Sequence, residues 1–489
     1  MGRFKNLFII LMLFMLMKSG PMHVWAQETY SLSIEEVSEL ALANNFDIQL
    51  ARYDARIART DKGVAKSIYD TVIDMEVKYR NNQSKPVSSF AGNKILDNDY
   101  NFSASKKLPT GTTLTFDNTN NRNWTDSSYV TLNPSHDSSI GITVKQELGK
   151  NFFGLKDRGD IKITLLDVKN SEYTSLDKIE TYLVDVQKAY WDLVLQTEKL
   201  RIYQDMVKQA KELFDVNTEK EKDGLAERPD VLAAEASYKQ KTNVLLQAQN
   251  HLKTKENILR LLLNITDDQV SIVPLDVFSL QDQDERNEYS LRVAFENRYD
   301  YKEALNNVKA KDINLAMKKN DIWPEVNLTA SLARNGVGEH FKQAYNGITE
   351  EDNPDFFAGL TISFPLENNE AKSKLKAAEL EKAKILIDLK SLERKITVGI
   401  IDKVRNTNIL KEVAANEMTV SQLQAQKLEA EEKRFSQGRS DTDTIVRFQN
   451  DVSLARITAV EAKYAYYAAG IDLRKEEGAL LQKYWDEEL

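Results

Sequence analysis

The stretch Ala41-Leu42-Ala43-Asn44-Asn45-Phe46-Asp47-Ile48 has a counterpart about 250 residues later, Ala294-Phe295-Glu296-Asn297-Arg298-Tyr299-Asp300-Tyr301. Each copy leads through a helical pattern into alternating strands, and then into very long helical patterns interrupted by one turn, at Gly224 and Gly438. Repetition on this scale is typical of units that stack or close into a larger symmetric object. The sequence therefore predicts two copies of one plan, residues 27–264 and 287–489, joined by a linker at 265–286.

The first 26 residues have the pattern of a secretory signal peptide. Arg3 and Lys5 precede an apolar run from Phe8 to Met17, and Ala26 supplies the small residue of a cleavage site. The run has about ten residues, whereas a membrane-spanning helix needs about 20. We therefore expect residues 1–26 to direct export and to be removed, and we expect no transmembrane helix in the mature chain.

Composition argues against several classes of function. The chain has no cysteine, which excludes disulfides, thiolate metal sites and cysteine nucleophiles, and its four histidines are too scattered to form a metal cluster. The net charge is −9, and it becomes −12 once the signal peptide, with three cations and no acid, is removed. An acidic chain of mixed charges argues against nucleic acid as a partner. We expect no cofactor, no metal site and no enzymatic activity.

The helical segments are unusually long. Ser33 and Glu36 form a capping box for a helix over about 34–68, and its counterpart covers about 290–322. Heptad-like apolar spacing predicts long helices over about 156–219, with a return to 263, and over 371–436 and 442–482. A helix of roughly 60 residues would be about 90 Å long. Such a length exceeds what an ordinary globular core requires.

The strand segments alternate apolar and polar residues. In the last strand Leu360, Ile362 and Phe364 alternate with Thr361 and Ser363, and residues 72–148 contain several such segments, with a tight turn at 109–111. This pattern fits a soluble sheet with one buried face, or a transmembrane barrel that is apolar toward lipid and polar toward its lumen. A few strands cannot close a barrel alone, because an open edge in lipid leaves backbone groups unsatisfied. The second interpretation therefore requires several copies of the chain.

Several stretches, in order along the chain, resemble the TolC-like outer membrane efflux proteins. They are 33–37 followed by 41–45, Ala189-Tyr190-Trp191-Asp192-Leu193, Gly224 with 229–235, Gly359-Leu360-Thr361-Ile362-Ser363-Phe364-Pro365-Leu366, and Phe435-Ser436-Gln437-Gly438. Together they extend over almost the entire mature chain. The resemblance implies an α+β membrane protein with a two-copy repeat, in which a shared transmembrane β-barrel is continued by a long periplasmic α-helical coiled-coil tunnel.

The same resemblance implies function and partners. It implies a homotrimer in contact with outer membrane lipid, which docks to a periplasmic adaptor and an inner-membrane pump in a tripartite efflux or type I secretion system. The expected location is the outer membrane, with the helical part in the periplasm. Ducts for drugs, metal ions, polypeptides and polysaccharides share this plan, so the resemblance implies passive export without specifying the cargo.

The resemblance also implies a periplasmic gate near the two helix-connecting turns. Asp230 occupies a position where the family has an aspartate, whereas the inner-ring aspartate positions of the second copy fall on Thr444 and Arg447. Asp441 and Asp443 could supply a displaced acidic ring, or they could be acids at the start of a helix, where the helix dipole favours negative charge. The candidate gate residues are therefore Asp230, Asp441, Asp443 and Arg447.

Two departures and one alternative function remain open at this stage. Phe435 replaces an aromatic hydroxyl residue common in the family, so that one gating hydrogen bond is expected to be missing. The first copy has more alternating segments than the two strands that the family requires, and a hairpin around 109–111 could widen the barrel or lie outside it. The alternative function is a secreted coiled-coil adhesin or structural stalk, which would need no lipid-facing strands.

Overall fold

The computed structural model describes residues 29–87, 90, 92–267, 270–280 and 285–484. The predicted signal peptide at 1–26 lies outside these residues. The chain divides into two compact units, and helices account for most of the described residues. The first unit consists of the described parts of Met1–Asn45, Asp185–Asp282 and Ile409–Ala468; the second consists of those of Phe46–Val184, Gln283–Asn408 and Ala469–Leu489.

Short and long helices alternate with strands along the chain. In chain order the described elements are β1 (Thr29–Leu32), α1 (Ile34–Asn44), α2 (Phe46–Lys66), β2 (Thr71–Asn82), β3 (Ile95–Lys107), β4 (Thr112–Thr125), β5 (Ser135–Glu147), α3 (Leu155–Lys222), α4 (Arg228–Leu262), β6 (Ser271–Pro274), α5 (Asn287–Asn297), α6 (Tyr299–Asn320), β7 (Glu325–Gly338), α7 (Phe341–Glu350), β8 (Pro354–Ser363), α8 (Asn369–Ser436) and α9 (Thr442–Glu476).

The four long helices have matching lengths. Both α3 and α8 contain 68 residues, and both α4 and α9 contain 35. The starting positions 155 and 228 recur 214 residues later, at 369 and 442. Among the described residues, no helix is long and apolar enough to span a membrane.

The predicted uninterrupted helices over 34–68 and 290–322 were wrong in one respect, because each is broken once. The breaks fall at Asn45 and Arg298, where ψ turns to 130° and 127°, and these positions correspond to each other in the duplicated sequence. Asn45 Nδ2 donates to the carbonyl oxygen of Leu262, the last residue of α4, at 2.8 Å. Arg298 Nη1 donates to the carbonyl oxygen of Glu476, the last residue of α9, at 2.9 Å.

These two contacts are equivalent and have one physical cause. The last carbonyls of a helix have no partner within the helix, and side-chain donors can satisfy them. In each half of the chain, the residue that interrupts the short helix caps the end of the 35-residue helix. Asn45 is buried, and Arg298 also pairs with Asp300 and with the Glu476 carboxylate, at 2.8 Å in both cases. Each break therefore interrupts a short helix and places a side-chain donor on the last carbonyl of α4 or α9.

The described strands form two sheets. In the first unit, β1 and β6 pair in parallel, with Tyr30 opposite Ile272, so a strand lies inside the segment predicted as a linker. In the second unit, six strands form an antiparallel sheet in the order β2-β3-β4-β5-β7-β8. The turn at 109–111 joins β3 to β4, as the sequence predicts, and both strands lie inside the sheet.

A ten-residue helix, α7, covers one end of this sheet and was not predicted. Ala344, Gly347 and Ile348 are its buried residues. The helix approaches β7 so closely that a Cβ at Gly336 would lie 2.2 Å from the carbonyl oxygen of Ala344. Glycine at position 336 therefore permits this packing.

Beyond α9, the chain docks onto α3 through one buried carboxylate. Glu180 Oε1 accepts hydrogen bonds from the backbone N–H groups of Leu480 at 2.9 Å and Leu481 at 3.2 Å. All three residues are buried. Burial is the main cause that raises the pKa of Glu180 to about 7, and the two N–H donors oppose this effect.

This raised pKa predicts that the docking of residues 480 and 481 is pH-dependent. Between about pH 4.5 and 7 the carboxyl of Glu180 keeps its proton in the folded chain and loses it in the unfolded chain. Its contribution to the stability of the docked segment is therefore fully present below about pH 4.5 and is lost as the pH rises through about 7. The change amounts to about 3 kcal/mol at most. Hydrogen exchange at Leu480 and Leu481, corrected for the intrinsic rate, should show greater protection at pH 5 than at pH 8 in the native chain. Glu180→Gln should show equal protection at both values.

The control is Glu288→Gln, which neutralises an exposed acid on α5. It should keep the native pH dependence. An unchanged pH dependence in Glu180→Gln would show that another group is responsible.

Candidate membrane-facing sheet and candidate gate

One face of the six-stranded sheet carries an unbroken row of apolar side chains. The strand register places one residue from each strand opposite the next, and all six are apolar: Ile73, Ala104, Phe116, Ile142, Leu332 and Phe356. The five larger ones are exposed, with fractions from 37% at Phe116 to 72% at Phe356. We call these six residues the apolar row. Exposed apolar surface of this extent marks contact with a membrane or with another protein.

The other face of the sheet is polar or small at the neighbouring position. The residues next to the apolar row, one from each strand, are also aligned by the register. They are Asp74, Ser103, Asp117, Gly141, Ala333 and Asp355. The two faces therefore differ in polarity across all six strands. Successive side chains of a strand point to opposite faces, so a single register sets both rows.

The residues predicted to face lipid follow this pattern. Leu360 lies opposite Leu328, and Ile362 lies opposite Val326, on the face of the apolar row. Their side chains are 57% and 62% exposed. Thr361 lies opposite Asn327, on the polar face. Phe364 directly follows the last residue of β8 and is also exposed.

The two helix-connecting turns have the same backbone geometry. Gly224 and Gly438 both have a φ of +70°, in the left-handed region that glycine adopts without strain. Behind them, Leu225 N–H donates to the Lys220 carbonyl at 2.7 Å, and Arg439 N–H donates to the Arg434 carbonyl at 2.9 Å. These bonds satisfy the helix ends and reverse the chain at both turns.

A small core holds these turns together within the first unit. Leu213, Ala234 and Ile445 are buried against one another, and Phe214, Phe435 and Val446 pack around them. Nearby, the buried Asn217 donates from Nδ2 to Thr442 Oγ1 at 3.2 Å. The end of α3 and the starts of α4 and α9 therefore form one packed cluster, and the candidate gate residues lie close to its members Ala234 and Ile445 along the chain.

Two of the candidate gate aspartates take part in capping helices. Asp441 accepts from the backbone N–H and from the hydroxyl of Thr444, at 2.8 and 3.0 Å, and these bonds hold its pKa below the usual range. Asp230 accepts from the N–H of Glu227 at 3.4 Å, in a capping box at the start of α4. Both contacts fit the first turn of a helix.

The other two candidates are exposed and have different surroundings. Asp443 lies in the first turn of α9. The guanidinium carbon of Arg447 lies 5.4 Å from the centre of the Phe448 ring. Phe435 occupies the position where the family commonly has an aromatic hydroxyl. The Lys220 ammonium lies 3.9 Å from the centre of its ring. A cation–π contact therefore occupies this position in place of a hydroxyl hydrogen bond.

A cavity of about 370 Å³ lies beside the turns, and sequence reasoning did not identify it. Glu212, Glu432 and Gln449 are among its lining residues. Partial burial is the main cause that raises the pKa of Glu432, and repulsion from Glu212 and Glu429 raises it further. Acids are frequent on all the long helices, so no sequence signal distinguishes these two. Within the described part of the chain, no three His, Asp or Glu side chains are placed to hold a metal ion.

Comparisons with known proteins agree with this architecture. Residues 97–264 match the sequence family described as "Outer membrane efflux protein". None of the curated proteins compared with the chain matches it in sequence.

Three similar solved structures extend over nearly the whole chain. CusC has a TM-score of 0.68 at 14% identity, over 95% of this chain and 96% of its own. The Campylobacter jejuni outer membrane channel CmeC has a TM-score of 0.65 at 16% identity, over 96% and 95%. The open state of the Neisseria gonorrhoeae outer membrane channel MtrE has a TM-score of 0.65 at 15% identity, over 91% and 89%. The chain thus has the fold of the TolC-like outer membrane channels, and the resemblance to the TolC-like outer membrane efflux protein family that its motifs predict is confirmed.

Proposed function

We propose that this chain is the outer membrane duct of a tripartite efflux or type I secretion system. The observation that carries the proposal is the apolar row, which presents exposed apolar side chains on all six strands while the opposite face is polar. Such a sheet suits a wall between lipid and a water-filled lumen. The sequence-family match and the whole-chain likeness to outer membrane channels support the same function.

The edges of the sheet require other copies of the chain. The first and last strands, β2 and β8, each pair on one side only within the described residues. In lipid, unpaired backbone groups cost several kcal/mol each, so a spanning sheet must close. The six strands alternate in direction, which leaves β2 and β8 antiparallel and allows β8 of one copy to pair with β2 of the next. The family resemblance favours three copies.

The helices fit a tunnel built from the same copies. The repeated lengths of 68 and 35 residues, with equivalent capping contacts at Asn45 and Arg298, support a two-copy plan over 27–264 and 287–489. In this arrangement the helices form a periplasmic coiled-coil tunnel and the two turns form its tip. A periplasmic adaptor and an inner-membrane pump supply the cargo and the energy. The duct conducts passively and needs no catalytic site.

A secreted coiled-coil stalk is the alternative function, and the sheet argues against it. A stalk in water has no use for a sheet whose exposed face is apolar across six strands. Exposed patches of that kind favour aggregation in a soluble protein.

The first prediction from this proposed function concerns assembly. Since six strands leave two open edges, the protein extracted in detergent should be a stable trimer. Sedimentation velocity with correction for bound detergent should give three chains per particle. A monodisperse monomer would contradict the proposal.

The second prediction concerns the two faces of β8. Ile362→Arg should destabilise the assembled protein by about 2–4 kcal/mol if Ile362 lies near the membrane centre. Thr361→Arg, its matched control on the polar face, should assemble normally and alter single-channel conductance. Trimer stability in lipid vesicles against denaturant measures the first effect, and planar-bilayer recording measures the second. Equal tolerance of both changes would show that this register or the membrane location is wrong.

The third prediction concerns the gate. If the turns converge at the periplasmic tip, Asp230, Asp441 and Asp443 from three chains form acidic rings, which favour cations and bind multivalent ones. Asp441→Asn with Asp443→Asn should weaken cation selectivity and block by trivalent cations. Asn caps a helix as well as Asp does, so the start of α9 is preserved.

Arg447 provides a second readout of the same gate. Three guanidinium groups at the tip would pair with or offset these acids, so Arg447→Ala should loosen the closed state and raise the basal conductance. Asp402→Asn, an exposed acid on α8, serves as the control for general loss of charge. Recordings unchanged in the double Asn variant and in Arg447→Ala would place these residues outside the pore.

A further inference from the structure

We propose that the β3–β4 hairpin forms part of the membrane-spanning wall, so that three chains close a barrel of eighteen strands. This inference rests on the proposed function and specifies the width of the duct. It follows from the position of the hairpin in the sheet, from the side chains that it contributes to both faces, and from the contacts that fix its turn.

The hairpin is an addition to the plan of the second half. The helix α2 ends at residue 66 and β2 begins at 71, five residues later. The helix α6 ends at residue 320 and β7 begins at 325, also five residues later. Likewise, β5 and β8 are the last strands before the long helices α3 and α8. The pairs β2/β5 and β7/β8 therefore correspond, and β3 and β4 have no counterpart between β7 and β8.

The backbone register inserts the added strands between the corresponding ones. Every residue of β2, from Thr71 to Asn82, is paired with β3, and β4 is paired with β5 from Thr112 to Asn123. The strands β2 and β5 are therefore not neighbours. A hairpin outside the wall would leave β2 and β5 to pair with each other.

The hairpin also continues the two faces of the sheet. Ala104 and Phe116 fill the apolar row between Ile73 and Ile142. The Phe102 ring lies on the same face, edge-on to Phe116, with ring centres 6.3 Å apart. On the opposite face, Ser105 lies beside Thr115, which lies beside Thr143. The added strands therefore have the two-sided pattern that a lipid-facing wall requires.

The turn of the hairpin is fixed to the point where the sheet meets α3. A Cβ at Gly111 would lie 2.7 Å from the backbone nitrogen of Gly154, so the hairpin turn and the segment just before α3 are in direct backbone contact. Next to the turn, Lys107 Nζ lies 2.8 Å from the buried Asp157 carboxylate and 3.8 Å from Glu147. The ion pairs couple β3 to the end of β5 and to the first turn of α3. The turn of the hairpin therefore lies at the same end of the sheet as the end of β5 and the start of α3.

The two extra strands in each chain change the dimensions of the barrel. With strands about 4.8 Å apart and tilted by about 40°, eighteen strands give a wall about 36 Å across, whereas twelve give about 24 Å. Barrels of 16–18 strands leave an open aqueous channel. The barrel would then admit bulkier cargo than a wall of four strands per chain.

Thiol labelling tests whether the hairpin belongs to the wall. The chain has no cysteine, so each single-cysteine variant has one reactive site. In trimers reconstituted into phosphatidylcholine vesicles, Thr115→Cys should react with a charged, membrane-impermeant thiosulfonate. Phe116→Cys should react at least tenfold more slowly with it, and should react readily with a lipid-soluble maleimide. The reference pair in β8 is Thr361→Cys and Ile362→Cys, for which the same contrast is expected.

The two pairs distinguish failure of this inference from failure of the proposed function. If the β8 pair shows the contrast and the hairpin pair does not, the hairpin lies outside the wall and the inference is wrong. If neither pair shows it, the sheet does not lie in the membrane and the proposed function itself is wrong. As a second measurement, electron cryomicroscopy of the native trimer in lipid nanodiscs should show eighteen wall strands. A wall of twelve would overturn the inference.

Discussion

The hydrogen-bond register of the six-stranded sheet is the constraint on which the rest of the structure depends. Side chains alternate between faces along a strand, so a slip of one residue between two neighbouring strands would place apolar and polar groups on the same face. The apolar row crosses five strand pairings without such a slip. The register thus produces both surfaces of the proposed wall, and within the described residues it leaves β2 and β8 as the two edges of the sheet.

A second constraint explains why the duplicated sequence marks the fold so clearly. Asn45 and Arg298 interrupt equivalent short helices, and each donates to the final carbonyl of the 35-residue helix in its own half. The two side chains differ in length and charge but perform the same task. Arg298 adds ion pairs with Asp300 and Glu476. These pairs are needed because the guanidinium charge is partly buried. The two stretches therefore share a contact between elements distant along the chain more than they share residue identity.

Much of the fold could be predicted from sequence because its signals are local and long. The heptad spacing and the Gly224 and Gly438 turns each occupy many residues, and the predicted bounds of the long helices agree with the structure to within a few residues except at the end of α9. That helix ends at Glu476 instead of near 482, with a left-handed Gly478 directly beyond. The breaks at Asn45 and Arg298 could not be predicted, because the carbonyls they cap lie far away along the chain. The pairing of β1 with β6 and the packing of α7 on Gly336 depend on tertiary contacts in the same way.

The candidate gate shows where sequence reasoning stops, in physical terms. An aspartate just before or within the first turn of a helix is favoured by the exposed N–H groups and by the helix dipole, whatever else it does. The Thr444 contacts show that Asp441 meets this local need, and Asp230 does so through Glu227. A capping carboxylate nevertheless retains its charge, and the hydrogen bonds from Thr444, which lower the pKa of Asp441, favour the charged form. Capping is therefore compatible with the gating role proposed for Asp441, because the same bonds that start the helix favour its anionic form.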